Sequence, residues 1–269
     1  MKDQAESLIE IPKNFTDTQD FANIMAEQLR MAGAVQRDFL PRSLPNTQRF
    51  RWSVTFLPAE VVSGDFYDVA RLDERHIGFY IADVVGHGIP AALLTMFLKQ
   101  AIVMRETTGN SYHIFTPQQV LSNLNCKMNE QQLTGSQFVT CCYFLFNIES
   151  LELTFARGGH PHPILIRKGE NPQQLQTSGP LIGVFENAQF PQQNLKLKSG
   201  DKILLYSDGA EHIIGGQKDN QGFVFNEEFC SIKDLPINEL NERFNLFVQN
   251  QQTNAFEADD ITMIGLEII

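Results

Sequence analysis

Two short stretches constrain this chain more than any others: Ser63-Gly-Asp-Phe-Tyr-Asp68, and Ile81-Ala-Asp-Val-Val-Gly-His-Gly-Ile-Pro90. The run before Asp83, His76-Ile-Gly-Phe-Tyr-Ile-Ala82, is short, aromatic and β-branched, which predicts a buried strand. After Asp83 comes a glycine-flanked turn, then Pro90 and the apolar run Ala91 to Leu98. Proline suits the first turn of a helix, so a helix is expected from there to about Glu106. Asp83 should therefore end a strand, beside a flexible turn and ahead of a helix. Two further sites repeat the setting. Lys202-Ile-Leu-Leu-Tyr-Ser207 runs into Asp208-Gly209, and Asp259-Asp260 runs into the alternating segment Ile261 to Ile268. One aspartate at a strand end is ordinary turn chemistry. Four such sites, with glycine beside three of them, suggest a shared purpose. Surplus carboxylates are costly unless paired or bound to a cation. Hard cations such as Mg2+ and Mn2+ favour all-oxygen ligands.

The 269 residues allow one large domain or a domain with an appendage, and the abundant phenylalanine allows a substantial core. The net charge is −11 and no basic run occurs, which argues against nucleic acid and against anionic membrane surfaces as partners. No apolar stretch is long enough to span a bilayer, and the first residues lack the apolar core of a signal peptide. The four cysteines, Cys126, Cys141, Cys142 and Cys230, form no Cys-x-x-Cys pair. Adjacent Cys141 and Cys142 on a strand would point to opposite faces. They read as reduced structural thiols, and the chain as cytoplasmic.

In chain order, Thr16 or Asp17 can cap a helix whose apolar positions are Phe21, Ile24, Met25, Ala32, Val35 and Phe39, ending at Pro41. That stripe suits packing on the chain's own domain or contact with a second helix elsewhere. Strands are expected at Arg51 to Phe56, from Asp65 through Val69, and into Asp83. A connector with Gly109-Asn110 follows the second helix, and Thr116-Pro-Gln-Gln119 has the form of a capping box opening a third. Phe138 to Asn147 reads as a strand buried on both faces, Leu151 to Ala156 as its return, and Ile164 to Arg167, Leu195 to Lys198 and Lys202 to Ser207 as further strands. Phe223 to Phe229 fits neither period cleanly. A helix over Ile237 to Val248 and a polar loop over 249–258 precede the last strand. Strands and helices are segregated, which indicates an α+β fold. A β-sandwich of two antiparallel sheets flanked by helices fits better than a doubly wound sheet.

The order Ser63 to Asp68, Ala82 to Ala92, Phe138-Val-Thr140, Ala156-Arg-Gly-Gly-His-Pro-His-Pro163, Gly179-Pro-Leu-Ile-Gly183, Tyr206-Ser-Asp-Gly209 and Asp259-Asp-Ile-Thr262 resembles the metal-dependent serine/threonine phosphatases of the protein phosphatase 2C (PPM) superfamily, and within it the bacterial SpoIIE/RsbU branch. The match runs over about residues 47–269. The N-terminal helix ending in Gln36-Arg-Asp-Phe-Leu-Pro41, within a regulatory segment of residues 1–46, is similar to the segment that joins this branch's catalytic domain to an upstream sensor or receiver domain. The resemblance implies a sandwich with a pair of Mn2+ or Mg2+ ions at one edge. Matched by position, Asp83 would bridge both ions, the carbonyl of Val84 would bind one, Asp208 and Asp259 would hold the other, and Asp65 would act directly or through water. Asp260, Gly86 and His87 would lie behind these, His87 shaping the loop. Such a pair would activate water for in-line attack on phosphorus, with no covalent phosphoenzyme.

His160 and His162 read as structural, since Pro161 and Pro163 favour a turn, and Arg157 and Arg167 are the available candidates for holding phosphate. The branch suggests a phosphorylated anti-anti-sigma (STAS-type) protein as substrate. The apolar stripe of the N-terminal helix leaves open a homodimer through that helix, or contact with an upstream receiver or sensor domain. Two alternatives compete: a catalytically silent scaffold, and a two-metal phosphoesterase acting on a small phosphate ester.

Overall fold

Aromatic and β-branched residues are gathered in the strands, and the central strands are buried on both faces. In a computed structural model, which describes residues 18–131, 137–218, 222–251 and 259–269, the elements run α1 (Thr18–Asp38), β1 (Phe50–Leu57), β2 (Asp65–Arg71), β3 (His76–Val84), α2 (Gly88–Ala101), β4 (Arg105–Thr108), β5 (Ser111–Ile114), α3 (Pro117–Glu130), β6 (Val139–Asn147), β7 (Glu152–Gly158), β8 (Ile164–Ile166), β9 (Gln173–Gln174), β10 (Gln193–Lys196), β11 (Lys202–Tyr206), a 3-10 turn (Asp208–Ala210), α4 (Glu211–Ile214), β12 (Gly215–Lys218), β13 (Gly222–Phe225), α5 (Glu227–Ile232), α6 (Ile237–Gln251) and β14 (Ile261–Ile268). One sheet has the order β1-β14-β11-β8-β9 and the other β10-β7-β6-β3-β2, with every pairing antiparallel.

Three apolar layers follow. The central one lies between the sheets: Trp52 meets Phe79 edge-on at 4.8 Å, Phe79 stacks on Phe144 at 4.9 Å, and Phe144 on Phe155 at 5.0 Å. A second packs α2 and α3 on the outer face of β3 and β6. A third packs α4, α5 and α6 on β8, β11 and β14. This is the helix-flanked sandwich expected from the sequence. β6 feeds two layers at once, with Cys142, Phe144 and Phe146 facing the sandwich interior and Cys141 and Tyr143 facing the helices. The two cysteines thus point to opposite faces, and both are free thiols.

The capping box forms: Gln119 N donates to Thr116 Oγ1 and the Gln119 side chain accepts from Thr116 N. A cap of this kind contributes about 1 kcal/mol.

The structure corrects the sequence reading in three places. The second helix stops at Ala101 rather than near Glu106, and the expected connector is the β4–β5 hairpin. Thr108 pairs with Ser111, so Gly109-Asn110 is a two-residue turn, and Gly109 has φ 61. Glycine takes that left-handed conformation without the cost a side chain would carry. The stretch around Phe223 resolves into β13 and α5. Finally, the apolar stripe of α1 is not the face that packs. Ile24, Met25, Val35 and Phe39 are exposed, whereas Gln36 is buried and Gly33 lies against Val61, whose carbonyl oxygen would stand 2.2 Å from an added Cβ. The expected cap at Thr16 or Asp17 and most of the expected 249–258 loop lie outside the described residues.

Candidate active site

Antiparallel register sets the centre of the site. Asp65, the first residue of β2, pairs directly with Asp83 near the end of β3, so both side chains leave the same face of the sheet. Two like charges directly opposed across strands repel. On its other side Asp83 pairs with Thr140 of β6. The second sheet brings in the rest. β11 and β14 are neighbours, and their ends deliver Asp208, just after β11, and Asp259-Asp260, just before β14.

The sheets are tied together at this edge by buried hydrogen bonds. Thr262 Oγ1 donates to Asp65 Oδ2 at 2.6 Å, across from one sheet to the other. Thr262 N donates to Ser207 Oγ at 2.9 Å, and Ser207 Oγ donates to the Asp260 carbonyl at 3.2 Å. Asp260 accepts from Ala59 N and Gly64 N, each at 2.7 Å, so both of its oxygens hold the loop that leads into Asp65. Gly209 passes so close to this knot that a Cβ there would stand 2.3 Å from the Asp260 carbonyl oxygen. Gln36 of α1 reaches the same loop: its Nε2 donates to the Ser63 carbonyl at 2.7 Å and to Thr95 Oγ1 at 2.9 Å, and its Oε1 accepts from Ser63 N at 2.9 Å.

Charge accumulates without compensation. Burial, then the charges of Asp208, Asp259 and Asp260, push the Asp83 carboxyl up to about 8. Burial and then Asp83 hold Asp65 well above the carboxylate range, against the pull of Thr262 and Ser207. Loss of water contact and then Asp259 raise Asp208. Among the described residues none of these carboxylates forms an ion pair. The contrast with Asp68 in the same motif is direct, since Lys99 Nζ sits 2.7 Å from its carboxylate. Among the described residues no three Asp, Glu, His or Cys groups stand close enough to enclose an ion as they are placed. The donor set nonetheless suits hard divalent cations: carboxylate oxygens only, mutually repelling, with no competing base.

The remaining expected residues fall as follows. Val84 is buried, and its N–H donates to the Gly64 carbonyl at 3.1 Å. Gly86 adopts φ 91 in the exposed turn. His87 points to solvent, with Nδ1 3.2 Å from Glu60 Oε1. Arg157 gives three of its five N–H groups to the Thr177 and His160 carbonyls. His160 is buried, with Nδ1 2.8 Å from Thr140 Oγ1. A pocket of about 260 Å³ opens beside Asp83 and Asp208. Sequence reasoning passed over Thr262, Ser207 and Gln36. The first two lie inside the quoted motifs, but the groups they hold, the Asp65 carboxylate and the Asp260 carbonyl, are distant in sequence. Gln36 gave no signal of its own, being one of several polar residues near the end of α1.

Two antiparallel sheets between helix layers, with aspartates gathered at one edge, define the PP2C, or PPM, class of phosphatase. The SiaA PP2C domain of Pseudomonas aeruginosa has this fold, with a TM-score of 0.74 at 22% identity over 93% of this chain and 99% of that one. The RsbU and RsbW domains of a Mycobacterium tuberculosis protein align with a TM-score of 0.67 at 24% identity, over 86% of this chain and 63% of that one. The family model of Stage II sporulation protein E (SpoIIE) matches residues 73–269. The phosphoserine phosphatase RsbU of Bacillus subtilis is 32% identical over 248 residues, 89% of this chain and 69% of that protein. The chain belongs to the SpoIIE family and is a PPM-type protein serine/threonine phosphatase of the SpoIIE/RsbU branch of bacterial signalling. That superfamily is metal-dependent in general.

Proposed function

We propose that this phosphatase hydrolyses phosphoserine or phosphothreonine on a signalling protein, with a pair of Mn2+ or Mg2+ ions at the Asp65–Asp83 edge. The observation that carries the reading is the in-register opposition of Asp65 and Asp83, joined by Asp208 and Asp259 from the other sheet with no counter-charge. Asp83, the Val84 carbonyl, Asp208 and Asp259 would hold the ions, with Asp83 shared between them, and Asp65 would contribute directly or through water. When bound, the ions supply positive charge that activates water and neutralises the phosphoryl oxygens.

The protein's own residues then do the positioning. Thr262 holds one oxygen of Asp65, whose strand position lies opposite Asp83. Asp260 fixes the loop before Asp65. Gly86 and His87 shape the turn after Val84. Residues 47–269 form the phosphatase domain, and residues 1–46 a regulatory arm.

The substrate we favour is a phosphorylated STAS-type anti-anti-sigma protein. Support comes from the RsbU relative, named a phosphoserine phosphatase, and from the solved chain that joins RsbU and RsbW domains. Among the described residues no helix is long and apolar enough to cross a membrane, and we place the protein in the cytoplasm, with neither membrane nor nucleic acid as partner. The exposed stripe of α1 favours a homodimer through that helix or docking to an upstream domain. Removal of residues 1–46 should leave a folded domain with altered sedimentation or basal rate. Identical behaviour of the two forms would refute the regulatory arm.

The deciding experiment is hydrolysis of a phosphoserine peptide with Mn2+ and then with EDTA. Turnover that appears with the metal and vanishes with the chelator supports the reading. A folded protein inactive in both would be the silent scaffold. Preference for a small phosphate ester over the peptide would indicate the third reading.

A further inference from the structure

We infer that Thr140 accepts a hydrogen bond from the water that attacks phosphorus, and that His160 acts through it as a positioning residue. The inference rests on the phosphatase reading above and adds two residues to that site.

Register places Thr140. β2, β3 and β6 are neighbours, and Asp65, Asp83 and Thr140 are paired in one row across them. Directly paired residues leave the same face of a sheet. Here it is the face between the sheets, which Cys142 and Phe144 of β6 also take. Thr140 is half-buried and lines the pocket that Asp83 and Asp208 share. Asp83 thus has a carboxylate on one side and a hydroxyl on the other.

A threonine hydroxyl carries one hydrogen and two lone pairs. The Asp83 carboxylate next door is the obvious acceptor for that hydrogen. Yet among the described residues Thr140 makes no hydrogen bond to Asp83, and its Oγ1 lies 2.8 Å from Nδ1 of His160. The ring decides which way this bond runs. Burial, then the charge of Arg157, brings His160 down to about 3, so the ring is neutral and holds one proton. The Tyr206 backbone opposes that shift, as a carbonyl does beside a ring N–H. Nε2 meets no acceptor in strict hydrogen-bond geometry. A proton on Nε2 facing a carbonyl is still better placed than a lone pair facing one. Nε2 therefore holds the proton, Nδ1 accepts from Thr140, and the lone pairs of Thr140 remain for the site.

The turn that carries His160 is fixed. Arg157 donates to the His160 carbonyl, and Gly159 N donates to the Gly179 carbonyl at 3.0 Å. Gly179 packs so closely that an added Cβ would stand 1.7 Å from the Arg157 carbonyl oxygen. The ring is thus held against Thr140.

An oriented neutral acceptor has a use here. The attacking water must point a lone pair at phosphorus, so its O–H needs a partner elsewhere. The carboxylates of the edge are committed to cations. Thr140 is uncharged and has no hydrogen left to offer, so it can only accept.

The test uses the full chain. With the imidazole nitrogens labelled, nuclear magnetic resonance should show His160 as the Nε2–H tautomer throughout pH 5–8, and Thr140→Val should shift its Nδ1 signal. An Nδ1–H tautomer would free the Thr140 proton to point at the site and overturn the inference. With Mn2+, Thr140→Val should lower kcat about 10- to 100-fold on both a phosphoserine peptide and p-nitrophenyl phosphate, with KM nearly unchanged. Thr140→Ser, which keeps the hydroxyl, should restore most of the loss. Adding His160→Leu to Thr140→Val should cost no further kcat. Calorimetry should give Thr140→Val the Mn2+ affinity of the unaltered protein. An affinity loss of about tenfold or more, as a residue bracing a metal ligand would give, overturns the inference. So does a loss of kcat confined to the peptide, which would make Thr140 a contact for a substrate amide, and so does an unchanged kcat. Absence of turnover by the unaltered protein on either substrate would instead overturn the phosphatase reading, and the tautomer would still decide the direction of the hydrogen bond.

Discussion

Asp260 and Asp208 stand on neighbouring strand ends and play opposite parts. Asp260 has an amide on each oxygen and ties the loop over 59–64 to the second sheet. Asp208 meets only the amides of its own turn, lines an open pocket, and adds to the charge around Asp83. Asp65 is intermediate, with one oxygen held by Thr262 and a like charge across the strand. The acidic edge therefore divides into carboxylates that the protein satisfies and carboxylates that it leaves in need of a cation. A cluster is read wrongly if all its members are counted as ligands because they are close together.

Substitution should separate the two kinds. Asp83→Asn or Asp208→Asn is expected to lower peptide turnover by about a thousandfold or more while far-ultraviolet circular dichroism stays unchanged. Near-normal activity in either would place the metals elsewhere. Asp260→Ala should act first on the fold. Losing a charged acceptor for two amides costs about 2–3 kcal/mol, which lowers the Tm by roughly 4–12 °C, with activity falling as a consequence. If Asp260→Ala kept its Tm and lost only metal affinity, Asp260 would belong with the ligands.

The smallest effect is a pH dependence. The Asp83 carboxyl titrates near 8 in the folded chain and at an ordinary value of 3.8 when unfolded, so between those values the folded state binds more protons. Stability of the metal-free protein should then fall as pH rises through that window and level off outside it. Added Mn2+ should raise the Tm more at pH 8 than at pH 5. Asp83→Asn should reduce the slope of the metal-free curve, the remainder coming from Asp65 and Asp208, which burial also raises. A metal-free protein whose stability rises from pH 5 to 8 would contradict the charge crowding on which the comparison depends.

Much of this was legible in the sequence because the signals are local. The aspartates lie against apolar strands with glycine beside them, and the Thr116 box is complete within four residues. The double burial of β6 follows from its unbroken stretch of thiol, aromatic and aliphatic residues from Cys141 to Phe146. The features that escaped depend on partners distant in the chain or have no apolar period. All of β4 and most of β5 are exposed, so the hairpin has no buried face to pattern it. β9 is two residues long and exists only through its pairing with β8. Gln36 acts through Ser63 and Thr95, 27 and 59 residues away, and a polar residue on a helix does not announce such contacts. The apolar stripe of α1 pointed to a packing face, yet the helix docks where Gly33 permits close approach.

Trp52, the chain's only tryptophan, lies buried between the sheets against Phe79, and its indole N–H meets no hydrogen-bond partner among the described residues. The protein therefore carries a single intrinsic fluorophore in a dry, aromatic setting, and its emission should be strongly blue-shifted. A red shift would report separation of the two sheets. Ion release at the acidic edge would leave the colour unchanged, so one spectrum can distinguish a phosphatase that has lost its metals from one that has lost its fold.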